Sequence, residues 1–284
     1  MDSNNEFIYP NPHLWGKCCN KLLNSHRLLA ARRATISRLP FVKLESGVHD
    51  IVYLNWLVDI DALRGYIPDD LQIKQQNGRT LFTILTYRHR HFGPIFMGPL
   101  RGIFPSPLQS NWRLYLDALP DGTSGAGIVL FLKNILNSFL YTAGSRIFSD
   151  ALPSHLAAEF EHTAAEGTYS THISSGQGSA PALSCTARQI SQKTLPPEFL
   201  QWYGDWNQAL TRICLQHSAV VHVESINRIA HAGIELPIDT SQALPLQVDD
   251  IQLPFLEQLG ANPSELFAFA VPQVQFQVLW EQIL

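Results

Sequence analysis

The sequence predicts a β-rich α+β domain, and three observations point there. From Asp50 onward, short apolar, β-branched runs follow one another. Asn77-Gly78 and Glu166-Gly167 stand between such runs as hairpin turn signals. Helical periodicity is confined to a few short stretches, and many strands with few helices define this class. The 284 residues suffice for a substantial core. A division into a basic N-terminal extension, 1–46, and a single domain, 47–284, is expected.

Each element has a local reason. Between Lys17 and Arg38 lie six basic residues and no acid, while Leu22, Leu23, Leu28, Leu29 and Ile36 recur at near-helical spacing. A basic amphipathic helix is expected, either packed on its own domain or touching an acidic membrane or partner. Ile51 to Leu57 reads as a strand, and Asp59 as the N-cap of a short helix, Ile60 to Tyr66, that Pro68 cannot continue. Leu71 to Gln75 and Thr80 to Arg88 flank Asn77-Gly78, and a Gly/Pro-rich loop follows from Gly93 to Pro107. Gln109 to Leu116, Gly127 to Asn134 and a pair around Glu166-Gly167 read as strands, and Ser138 to Ser149 and Pro196 to Trp206 as helices. Near the end, Val274, Phe276 and Val278 alternate with Gln275 and Gln277.

Composition excludes several classes. Charged residues make up 15%, against about 25% in an average domain. A net charge of −4 argues against nucleic-acid binding, and no apolar run reaches the roughly 18 residues of a membrane span. Cys18 and Cys19 are adjacent while Cys185 and Cys214 stand apart, so no CxxC spacing exists. With Asp2 and Glu6 near the start and no apolar signal region, the expected location is cytoplasmic.

Phosphate-loop, dinucleotide, nucleophile-elbow and HExxH motifs are missing. On a strand, Gln109, Asn111, Arg113 and Tyr115 share one face. That row suits a carboxylate or carbonyl ligand with Arg113 as anchor, or else a solvated sheet face. His155, Glu159 and His162 would line one side of a helix as a zinc set, but on a strand 155 and 162 face opposite ways. His89 and His91 alternate with Arg88 and Arg90 at an expected solvent-facing strand end. Lys133 closes an apolar strand; it either snorkels to water or is desolvated into a reactive amine.

The segments Trp56 to Leu63, Ile67-Pro68, Asn77-Gly78-Arg79, Asn111-Trp112-Arg113-Leu114-Tyr115, Ser145 to Phe148 before Leu152-Pro153, and Phe199-Leu200 with Tyr203 resemble the DUF2071 family of the acetoacetate decarboxylase-like superfamily. The likeness covers about residues 47 to 206. It implies antiparallel sheets around a central cone-shaped barrel with an internal pocket, and a hairpin rather than a helix over Pro153 to His172. It also implies departures. Where decarboxylases of the superfamily carry a Schiff-base lysine, this chain reads Leu152-Pro153-Ser154-His155, and their strand glutamate corresponds to Gln109.

The expected function is therefore metal-independent and cofactor-free, on a small carbonyl or carboxylate metabolite, lyase- or isomerase-like if catalytic. Arg113 would anchor the anion with Asn111 and Gln109 beside it, Tyr115 would donate a hydrogen bond, and His155 would act as general base. Of six lysines, Lys17, Lys21 and Lys43 lie in or near the extension, Lys74 beside a turn and Lys193 before Pro-Pro, which leaves Lys133 as the possible Schiff-base residue. The alternatives are a non-catalytic small-ligand binder, or a peripheral membrane or scaffold protein acting through 17–38.

Overall fold

The computed structural model describes residues 5–36 and 40–284; Asp2 and Arg38 lie outside them, as does the side chain of Ile36. Two helices come first, α1 (Leu14–Leu23) and α2 (His26–Ile36), where a single one was expected. The break falls at Asn24-Ser25, because Asn24 ends α1 and its side chain exchanges two hydrogen bonds with the backbone of Phe7. The segment packs on the domain. Phe7, Cys19 and Leu23 share a small core with Leu156, while Arg32 and Arg33 both bind the Asp150 carboxylate. Burial pushes that carboxyl up and the two guanidinium groups more than offset it, so its pKa lies below the ordinary value.

The strands follow as β1 (Leu44–Asp59), β2 (Gln72–Ile73), β3 (Gln75–Gln76), β4 (Arg79–Pro94), β5 (Leu108–Ala118) and β6 (Ile128–Leu136). A two-turn 3-10 helix at Asp61–Tyr66 follows Asp59, whose carboxylate accepts from the Asp61 N–H. Asn77 and Gly78 both have positive φ, as the tight hairpin between β3 and β4 requires. The 93–107 segment is less irregular than expected: β4 runs to Pro94 and 3-10 turns occupy Ile95–Ile103.

Next come α3 (Phe139–Phe148), β7 (Ser154–Leu156), β8 (Glu159–Ala165), β9 (Thr168–Ser174) and β10 (Leu183–Gln189). Residues 159–174 therefore form a hairpin about Glu166-Gly167. The His155, Glu159 and His162 side chains do not converge. His162 lies between the Asp50 carbonyl and Thr171, and His155 against Ser179. Among the described residues, no group of three or more His, Cys, Asp or Glu side chains is placed to hold a metal ion. The chain ends with α4 (Pro197–Tyr203), α5 (Trp206–Cys214), β11 (Ser218–Val223), β12 (Arg228–Glu235), β13 (Leu244–Gln252), α6 (Pro254–Gln258) and β14 (Phe267–Ile283).

Seven strands form a closed ring, in the order β1-β4-β5-β6-β11-β12-β14, and β14 pairs back onto β1. Its pairings are antiparallel except β6 with β11. Beyond β14, strands β13, β10, β9 and β8 continue the same sheet outside the ring. The two strand faces pack differently. Trp56, Phe82, Trp112 and Leu114 meet Phe255 of α6 and Leu183 of β10 in one core cluster. Tyr53, Leu85, Val129 and Phe269 meet Phe199, Trp206 and Ile213 of α4 and α5 in another. The second face is concave: Arg113 of β5 reaches over Tyr53 of β1, and His89 of β4 meets Phe276 of β14, each skipping a strand. Helices α4 and α5 plug that interior.

Candidate functional site

Strand alternation in β5 puts Gln109, Asn111, Arg113 and Tyr115 on the concave face, and all four are buried. They divide into two groups along the barrel. At one end, Gln109 donates to Asn111 Oδ1 (3.0 Å) and Asn134 Oδ1 (2.7 Å), Asn134 donates to Ser154 Oγ (2.5 Å), and Asn111 donates to the Tyr87 hydroxyl (3.0 Å). With both amide hydrogens used, Gln109 Oε1 accepts from His89 Nε2 (2.6 Å), which fixes the neutral imidazole with Nδ1 bare. His89 is stacked on Phe92 and fully buried. It does not face solvent as expected, and burial pushes its pKa down to about 4, partly opposed by Gln109. Every side chain in this group is uncharged.

The other group is built around Arg113. Arg113 is 2% exposed, and its guanidinium lies 5.6 Å from the Tyr53 ring and 5.5 Å from the Tyr115 ring and donates to the Ile213 carbonyl at 3.1 Å and the Tyr115 hydroxyl at 3.3 Å. No ion pair reaches it among the described residues, and Nε has no acceptor. Tyr115 OH contacts the same carbonyl (3.1 Å) and Thr83 Oγ1 (3.2 Å), and Thr83 donates to Asn55 (2.8 Å). Burial raises the Tyr115 pKa, with Arg113 pulling the other way, so the phenol stays protonated.

A pocket of about 320 Å3 opens beside Tyr115, between α4–α5 and the start of β6. Lys74, Trp202, Tyr203, Arg212 and Gly127 line it with Tyr115. Burial lowers the Lys74 pKa and the neighbouring Arg212 adds to that, with Asp117 opposing. Gly127 has φ +75°, and a Cβ there would lie 2.7 Å from the His217 ring. A backbone of that conformation next to an imidazole admits only glycine.

Lys133 and His155 come together elsewhere. Lys133 pairs with Trp112 and so lies on the Trp112 side of β6, opposite to Asn134, by strand alternation; the bulge, at Leu132, comes just after it and keeps Phe131 opposite Arg113. His155 faces away from Ser154 on β7 and rests on Ser179 (2.7 Å). Burial, then Lys133 and Arg146, hold its pKa well below the usual range, while burial brings the Lys133 amine down to about 8. The structure thus unites Gln109, Asn111, Arg113 and Tyr115 and separates them from Lys133 and His155.

Sequence reasoning missed α5, which closes the site with Ile213 and Arg212, and Lys74 as a pocket residue. Gly204-Asp205 is the signal for α5. Gly204 ends α4 at φ +81°, and the Asp205 carboxylate accepts from the Gln208 N–H as an N-cap.

The family model DUF2071, an uncharacterized conserved protein family, matches residues 46–249. This chain belongs to the DUF2071 family. No curated protein matches it. Solved structures similar to this DUF2071 chain include the enduracididine biosynthesis enzyme MppR complexed with pyruvate, at TM-score 0.56 and 11% identity over 86% of this chain and 90% of that one. Acetoacetate decarboxylase from Legionella pneumophila aligns at TM-score 0.57 and 11% identity, covering 84% and 86%. An acetoacetate decarboxylase-like enzyme from Sphingomonas wittichii RW1 aligns at 0.53 and 8%, covering 87% and 94%. These likenesses establish the acetoacetate decarboxylase-like fold for this DUF2071 chain. No helix of the described residues is long and apolar enough to cross a membrane.

Proposed function

We propose that this DUF2071 chain binds a small carbonyl- or carboxylate-bearing compound at the Tyr115 wall of the α4–α5 pocket, with Arg113 as the anion anchor behind it. One observation carries the reading: a buried guanidinium without an acidic partner among the described residues. A buried charge is costly unless paired, and two aromatic faces, one carbonyl and the Tyr115 hydroxyl compensate it only in part. A ligand carboxylate supplies the missing partner, in the fork geometry that guanidinium favours. Tyr115, protonated, donates to a carbonyl or carboxylate oxygen. Lys74 and Arg212 add positive charge at the entrance.

The reading has no iminium step on the lysine position of the superfamily. Ser154, in the Leu152-Pro153-Ser154-His155 stretch that the resemblance sets against the decarboxylase lysine, and Gln109, which it sets against the glutamate, are joined here through Asn134 in an uncharged network. On that correspondence, neither an amine nor a carboxylate stands at these positions to form and relay an iminium. Asn111 and Gln109 orient the inner wall. A base role for His155, or covalent chemistry on Lys133, would need a second ligand position on the far side of β6 and β7.

Thermal shift with pyruvate and a panel of small keto acids and carboxylates, followed by borohydride trapping, tests this. A ligand-induced rise in Tm that disappears in Arg113→Met, with no lysine adduct, is expected. Equal ligand response in Arg113→Met would remove the anchor, and an adduct on Lys74 or Lys133 would replace non-covalent binding with Schiff-base chemistry.

A further inference from the structure

Large exposed apolar side chains collect on the side of the molecule formed by α1, the start of α3 and the 3-10 segment after β4. Leu14, Trp15, Phe96, Leu100, Ile103 and Leu140 are 59% to 82% exposed. The elements that carry them are neighbours. Trp15 contacts the Phe139 ring next to Leu140, and the Tyr141 hydroxyl donates to the carbonyls of Phe92 and Pro105 on the two flanks of the 93–107 segment. The Ile95 N–H donates to the Lys43 carbonyl, which brings the exposed Phe41 and Val42 alongside. An apolar surface of this kind on a monomer marks an interaction site.

Its charge indicates the partner. Residues 7–44 and 71–116, which supply most of the surface, contain no Asp or Glu, although the whole chain is net −4. Lys17 and Lys21 on α1, Arg27 on the following α2 and Lys43 next to Val42 are exposed. Glu45 at the edge is neutralised by Arg101. Arg32 and Arg33 are turned inward onto Asp150 and do not contribute.

We propose that this face docks on an anionic lipid surface. Phe96, Leu100 and Ile103 enter the interfacial layer, Trp15 lies at headgroup level, and the four cations sit over the lipid phosphates and carboxylates. A second copy of the chain fits less well, because a two-fold contact would set each basic rim against its own image.

Co-sedimentation of the full chain with vesicles of phosphatidylcholine alone, and of phosphatidylcholine with phosphatidylserine, tests the proposal. Binding is expected only to the phosphatidylserine vesicles, weakening as salt rises. Phe96→Ser/Leu100→Ser should abolish it at unchanged Tm, since both side chains are exposed. Each of Lys17→Gln and Lys21→Gln should weaken it by about fivefold. Absence of binding, or equal binding to both vesicle types, overturns the proposal. So does a concentration-dependent dimer that Leu100→Ser disperses, which would make this face a self-association surface.

Discussion

Arg113 and Tyr115, two residues apart on β5, direct their side chains to one acceptor, the backbone carbonyl of Ile213 at the end of α5. Gln216 donates to that oxygen as well. The helix that closes the barrel is thus tied to the strand carrying the candidate site, through a carbonyl with more donors than it needs. Arg113→Met should therefore leave folding stability unchanged or raise it by up to about 2 kcal/mol, since it removes a buried charge while Ile213 keeps its other donors. Urea denaturation reads this. A loss of several kcal/mol would show that the guanidinium holds the barrel rather than awaits a ligand.

His89, His155 and His162 are buried, and burial lowers the pKa of each below 6.5. In that range the unfolded chain takes up protons that the folded chain refuses. The stability they contribute is complete above pH 6.5 and is lost as pH falls toward the folded values, about 4 for His89. Each adds a slope of at most about 1.4 kcal/mol per pH unit. Denaturation curves between neutral and mildly acidic pH should show this decline, and His89→Gln should flatten it by one proton. An unchanged slope in the variant would mean that His89 is protonated in the native state.

Asp150 joins α2 to the loop after α3 through Arg32 and Arg33, and its side chain is almost fully enclosed. Asp150→Asn leaves two guanidinium groups facing a neutral amide and should cost about 3 kcal/mol. Because the folded pKa lies below 3.8, the wild-type increment is present above that pH and is lost as pH falls through the depressed value. The variant should lack this acid-limb loss. A change under about 0.5 kcal/mol would place the grip on α1 and α2 in their apolar contacts instead.

Gly127→Ala should destabilise the mouth of the pocket by at least about 1 kcal/mol, from positive φ and the clash with His217 together. The same protein should lose ligand response at pH values where it remains folded. Retained binding with unchanged Tm would show that the His217 ring moves aside freely.

Much of this protein is written locally. Asn77-Gly78 names its turn because both residues readily take positive φ, the glycine of Glu166-Gly167 marks the second, and β5 shows its two faces through alternation alone. The single basic helix and the solvent-facing His89 failed for the converse reason. Asn24 breaks α1 by bonding Phe7, seventeen residues away, and His89 is buried because Gln109 and Phe92 receive it.

By itself the sequence determined the β-rich class, the order of most strands and helices, and the row Gln109, Asn111, Arg113 and Tyr115, all set by propensity and periodicity within a few residues. Only the tertiary structure decided that both faces of β5 are buried with that row toward the concave side, that α5 caps it, that Lys74 and Arg212 share its pocket, and that Lys133 and His155 stand apart. Those outcomes depend on ring closure between β1 and β14 and on the docking of α5 against β5, contacts between residues far apart in the chain that no local pattern encodes.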